Sequence, residues 1–85
     1  MAEQKLGKIL VIDDDAIVTE TIGILFDQEL TVLSAASGKE GIEAAQSELP
    51  DLILLDVKMP DMDGYDTCRQ IQGDTETAAI PIIFL

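Results

Sequence analysis

The sequence contains no histidine and no tryptophan, a single cysteine, one tyrosine and two phenylalanines. Without histidine there is no imidazole base, none of the usual catalytic triads and few of the donor sets that hold zinc. The lone thiol, Cys68, excludes an internal disulfide and fits a reducing compartment. Basic side chains are also scarce: five Lys and Arg stand against seventeen Asp and Glu, a net charge of −12. Phosphates would be repelled rather than neutralised, which argues against a nucleic-acid surface and against anionic membranes. The opening MAEQKLGK has the form of neither a signal peptide nor a membrane span. A chain of 85 residues allows one small domain, which buries only ~60% of the surface its unfolded form exposes. With 47% hydrophobic residues it should still fold. These bounds leave a small acidic domain, expected to be soluble and cytoplasmic.

Short apolar runs alternate with helical periods. Ile9-Leu10-Val11-Ile12 is apolar at every position and too short for a helix, which suits a strand covered on both faces of a parallel sheet. Val18, Ile22, Leu25 and Phe26 then mark one face of a helix over about residues 15–27. Residues 30–35 read as a second strand. Ser37 and Glu40 have the spacing of a capping box, opening a helix that presents Ile42, Ala45 and Leu49 and stops at Pro50. Residues 51–55 form a third strand ending at Asp56, followed by a loop rich in turn formers over 58–64. Tyr65, Cys68 and Ile71 predict a third helix closed by Gly73, and residues 80–85 a fourth strand. Such alternation predicts an α/β fold of three layers, a parallel sheet with right-handed crossovers and helices on both faces.

Sheets of this kind place their sites at the carboxyl ends of the strands, where strand order reverses. Asp13 and Asp14 end the first strand and Asp56 ends the third. If those strands are neighbours, three carboxylates converge. Crowded carboxylates repel unless a cation neutralises them, and a hard divalent ion such as Mg²⁺ takes oxygen donors of this kind. Two readings stand at this point: a Mg²⁺ site, or a solvated acidic loop after each strand.

The wider string resembles the receiver domain of two-component response regulators. The matching pieces are Ile9-Leu10-Val11-Ile12-Asp13-Asp14-Asp15, then Asp51 through Asp56-Val57-Lys58-Met59-Pro60-Asp61-Met62-Asp63-Gly64, and Ile80-Pro81-Ile82-Ile83-Phe84. The resemblance implies a flavodoxin-like fold with strand order 2-1-3-4 for the four strands present. It implies that Asp56 is the phosphoacceptor, taking a phosphoryl group from a sensor histidine kinase or a phosphotransfer protein. Asp14, Asp56 and the backbone carbonyl of Lys58 would ligate Mg²⁺ (or Mn²⁺), with Asp13 acting through a metal-bound water. Pro60 and Gly64 would shape the loop, Asp63 and Asp15 would cap helices, and Cys68, Met59 and Met62 would pack.

A complete receiver continues past the fourth strand through a Ser or Thr, a helix, a strand bearing Lys and a final helix, ~40 residues in all. These 85 residues are therefore expected to form a single truncated receiver domain, with residues 1–7 as an N-terminal extension and the fifth strand and last two helices absent. Phosphorylation is expected to be impaired, and a homodimer or higher oligomer is expected to cover the exposed fourth-strand edge. Two rivals remain. One is a non-phosphorylated interaction or oligomerisation module of the same fold. The other is a Mg²⁺-dependent phosphatase fragment. Phosphatases of that type often carry a second Asp two residues after the nucleophile, where this chain has Lys58.

Overall fold

The computed structural model describes residues 5–85. The apolar runs become four strands, β1 (Gly7–Ile12), β2 (Leu30–Ala35), β3 (Leu52–Leu55) and β4 (Ile82–Phe84). The helices between them are α1 (Ala16–Phe26), α2 (Gly38–Glu48) and α3 (Gly64–Gly73). All strand pairs are parallel, in the order β2-β1-β3-β4. The register sets Ile12 beside Ala35 on one side and Leu55 on the other, and Leu55 beside Phe84.

Alternation along the strands sorts the side chains to two faces. Leu10, Ile12, Ile53 and Leu55 point toward α2 and α3 and form the core with Ala35, Ala45 and Ile71. Each fully buried side chain of this size contributes ~1.5–3 kcal/mol. Gly41 lets α2 lie directly on β1, since a Cβ there would come 2.5 Å from Ile12 Cδ1. The other face carries α1, which lies against Leu30, Val32 and Ser34 of β2. The result is the expected three layers.

Several local details differ from the sequence reading. The first strand begins at Gly7, earlier than the run at Ile9, because Asp51 holds it: Lys8 N–H donates to the Asp51 carboxylate (2.8 Å) and Asp51 N–H to the Lys8 carbonyl (2.9 Å). The last residue of the expected 1–7 extension thus belongs to the sheet, while residues 1–4 lie outside the described residues. The fourth strand is three residues, not six. Ile80 closes a turn by donating to the Thr77 carbonyl (3.1 Å), and Pro81 has no N–H, although its carbonyl accepts from Ile53 (2.9 Å).

The expected face of α1 is only partly inward. Val18 and Ile22 are half-buried, but Leu25 and Phe26 are exposed and no residue of α1 is fully buried. The helix rests on the sheet along one narrow stripe, beside β2. Leu49 does not join the core face of α2. It ends the helix in the left-handed region (φ 48°), with its N–H on the Ala45 carbonyl at 3.0 Å. In α3 the buried side is Gly64, Thr67 and Ile71, with Cys68 partly buried and Tyr65 exposed against Phe84 (ring centroids 5.1 Å apart). Gly73 is the last helical residue and has no positive φ, so it is not the left-handed cap expected. The Ile71 carbonyl near the end of α3 is instead satisfied by the Asp74 N–H (3.3 Å) and the buried Thr77 hydroxyl (2.6 Å).

Candidate metal and phosphoryl site

The β1–β3 register builds the site. Because Ile12 and Leu55 are paired, the residues that follow them, Asp13 and Asp56, emerge side by side at the carboxyl end of the sheet. Two backbone bonds hold them there: Asp13 N–H donates to the Ala35 carbonyl (3.0 Å) and Asp56 N–H to the Ile12 carbonyl (2.9 Å). Asp14 follows before α1 begins. Each of the three residues offers one carboxylate oxygen, and these oxygens lie within 4.8 Å of one another. The convergence expected from the sequence is therefore present.

The three groups sit in different surroundings. Asp13 is buried, at 6% exposure, Asp56 is half-buried and Asp14 is exposed. Burial pushes the Asp13 carboxyl above the usual carboxylate range. A bond from the Asp15 N–H (2.9 Å) pulls it partly back, and the adjacent Asp56 and Asp14 raise it further. No Lys or Arg side chain pairs with the cluster among the described residues; the ion pairs there are Lys8–Glu48 and Arg69–Asp66. Three hard oxygen donors with no protein cation beside them fit a divalent ion such as Mg²⁺.

The loop after Asp56 turns back at once. Lys58 N–H donates to the Asp56 carboxylate (3.3 Å), and Gly64 N–H donates to the Val57 carbonyl (2.7 Å). The missing Cβ of Gly64 permits this close approach. A Cβ there would run into the Asp56 carbonyl and come 2.8 Å from Val57 Cα. A cleft of about 550 Å³ opens beside the cluster, lined by Asp14, Lys58, Pro60, Asp63 and Tyr65 among others. A second groove, of about 540 Å³, lies between α1 and β2 and includes none of the three aspartates.

The remaining acidic residues near the site have local duties. Asp15 caps α1 by accepting from Ile17 N–H (2.9 Å), and Asp63 caps α3 by accepting from Asp66 N–H (2.9 Å). Ser37 accepts from Glu40 N–H (3.1 Å), while Glu40 returns a bond to Ala36 N–H (3.3 Å), one residue before the expected partner. Met59 packs on the core, and burial pushes the Cys68 thiol up, away from thiolate chemistry. One residue escaped the sequence reading. Asp61 accepts from the N–H groups of Gly38 and Lys39, both at 3.1 Å, at the start of α2. Its nearer partner in sequence lies 22 residues earlier in the chain, so no local pattern marks it.

Comparison with known proteins agrees with this fold. The response regulator receiver domain family matches residues 9–85. The protein PilH of Pseudomonas aeruginosa is 33% identical over 81 residues, covering 94% of this chain and 67% of PilH. The transcriptional regulatory protein AfsQ1 of Streptomyces coelicolor is 43% identical over 77 residues, covering 91% of this chain but 33% of AfsQ1. The crystal structure of the N-terminal domain of a response regulator receiver protein from Methanoculleus marisnigri superposes with a TM-score of 0.90 at 34% identity, covering 94% of this chain and 66% of that one. The chain thus spans about two thirds of PilH and of the M. marisnigri structure, and a third of AfsQ1. Sequence match and superposition extend across nearly all of these 85 residues, and the chain belongs to the response regulator receiver domain family.

Proposed function

We propose that this receiver domain accepts a phosphoryl group on Asp56 from the phosphohistidine of a sensor histidine kinase or a phosphotransfer protein. The observation that carries the reading is the convergence of Asp13, Asp14 and Asp56 at the carboxyl end of the sheet. A carboxylate oxygen of Asp56 attacks phosphorus. The P–N bond breaks with its electron pair remaining on nitrogen, the imidazole ring takes up one proton, and Asp56 becomes an acyl phosphate. Asp14, Asp56 and the Lys58 backbone carbonyl would hold Mg²⁺ (or Mn²⁺), with Asp13 acting through a bound water. The ion would offset the charge of the phosphoryl oxygens in transfer. The Asp56 N–H bond to β1 keeps the backbone of the nucleophile fixed while this happens, and the Asp15 N–H anchors the Asp13 carboxylate beside it.

Transfer to this 85-residue chain should be slow. No cationic side chain pairs with the cluster among the described residues, and absence of one preorganised charge stabiliser typically costs ~10²–10³ in rate. Phosphoramidate, which has the same P–N bond as the natural donor, plus Mg²⁺ should give a single phosphoryl adduct over an extended incubation. No adduct in any time, or fast stoichiometric labelling, contradicts the corresponding half of the proposal.

A specific observation favours self-association as well. Ile83, Phe84 and Leu85 are exposed on the sheet's β4 edge. Open apolar edges recruit another strand. The net charge of −12 opposes association but is screened beyond ~8 Å at physiological salt. In this reading the chain forms a homodimer or higher oligomer over that edge. None of the described helices is long and apolar enough to cross a membrane, and we assign the domain to the cytoplasm, where kinase and phosphodonor would meet it.

A further inference from the structure

We infer that Asp61 is a positioning residue for the metal site: its carboxylate, held by the Gly38 and Lys39 N–H groups, fixes the loop that carries Lys58 against the N-terminus of α2. The inference rests on the metal reading above and assigns a part of it to a residue outside the cluster.

The loop between β3 and α3 needs such a tether. At its start, Asp56 N–H is bonded to β1, and at its end Gly64 N–H is bonded to Val57. Between these points, among the described residues, no backbone N–H or carbonyl of Met59 to Met62 bonds to another backbone group outside the helices and strands. Met59 packs against the core, but apolar contact is non-directional and a thioether side chain adapts to its surroundings. The paired bonds to Asp61, both 3.1 Å, are directional and bind this stretch to the start of α2, the helix that packs beside α3 on the same face of the sheet. A carboxylate accepting two N–H groups makes charge-assisted bonds, and it sits where the α2 dipole favours negative charge. The shift of the Asp61 carboxyl below the usual range, caused by the Gly38 and then the Lys39 N–H, is consistent with those bonds.

Asp61 is three residues beyond Lys58 and never joins the three aspartates. Its effect on the ion would therefore be transmitted through the loop backbone. Removing an outer partner of a metal ligand typically weakens affinity ~10–100-fold.

The test is calorimetric titration of Mg²⁺ into the full 85-residue chain, compared with Asp61→Ala, Asp61→Asn, Ser37→Ala and Asp14→Ala, each checked for helicity and melting temperature. Ser37→Ala also removes a cap from α2 but leaves the loop tether intact. Asp61→Ala should weaken Mg²⁺ about 10-fold, Asp61→Asn should fall between it and the starting chain because one acceptor oxygen remains, and Ser37→Ala should leave affinity unchanged. Equal affinities for the starting chain and Asp61→Ala, with binding lost in Asp14→Ala, overturn this inference alone. So does a loss in Asp61→Ala no larger than in an equally destabilised Ser37→Ala. A starting chain that does not bind Mg²⁺ overturns both this inference and the metal reading.

Discussion

Asp13 shows how one residue's surroundings set a testable sign. Its folded-state pKa is raised above the ordinary value of 3.8, first by burial, so the folded chain holds the proton more tightly than the unfolded chain does. The ionised group therefore destabilises the fold at pH above the folded pKa, and that penalty fades as pH falls and is gone below about 3.8. Asp13→Asn, which keeps an oxygen for the Asp15 N–H, should raise the melting temperature in metal-free buffer at neutral pH. The gain should disappear in strongly acidic buffer; a gain of the same size at both pH values would point to packing instead of charge. The opposite residue-scale effect is expected at Gly64. Its missing Cβ leaves room for the Asp56 carbonyl and Val57 Cα, and Gly64→Ala should cost ~1–3 kcal/mol by overpacking, with loss of Mg²⁺ binding. A variant as stable as the starting chain would show that the loop can move aside freely. Gly64 was legible in advance because its loop string is distinctive. Asp61 was not, since its meaning depends on which distant helix start the fold brings beside it.

At the scale of elements, the strands were readable because the apolar runs at 9–12 and 52–55 are continuous and too short to be helices, whereas their order came only with the resemblance to receiver domains. Helix starts were readable too, through Asp15, Ser37 and Asp63. Helix ends and faces were less so. Spacing put Tyr65 on the core face of α3, but the small and polar Gly64 and Thr67 are buried there; a count of apolar residues cannot register a site where the helix must come close to the loop. Leucine gives no signal for a left-handed cap, so the ending at Leu49 surfaces only in the backbone. That cap gives an element-scale prediction. A non-glycine residue in the left-handed region costs ~1–2 kcal/mol, whereas glycine loses ~0.5–1 kcal/mol more chain entropy on folding. Leu49 is half exposed, so Leu49→Gly should stabilise the domain by up to ~1 kcal/mol, or ~4–8 °C in melting temperature. A lower melting temperature would mean that the Leu49 side chain contributes more packing than its exposure suggests. By contrast, Asp63→Ala should cost about 1 kcal/mol through loss of the α3 cap, measured by urea unfolding.

At the scale of the whole molecule, a small core carries a charged site and the exposed apolar residues of β4. Mg²⁺ should stabilise the chain by ~2.7 kcal/mol at a hundredfold excess over Kd, and the effect should vanish in Asp14→Ala; a melting temperature indifferent to millimolar Mg²⁺ counts against a formed site. Light scattering after size exclusion should show a species larger than 9.2 kDa, weakened by Ile82→Lys, and a folded monomer at high micromolar concentration would contradict the assembly. The central claim is that Asp56 accepts the phosphoryl group, and trapping the acyl phosphate tests it most directly. After incubation with phosphoramidate and Mg²⁺, borohydride reduces an aspartyl phosphate to the side-chain alcohol, and peptide mass mapping locates the reduced residue. The expected result is slow, Mg²⁺-dependent reduction at Asp56 alone and none in Asp56→Asn. Reduction at Asp13 or Asp14, or an adduct that persists in Asp56→Asn, would contradict it.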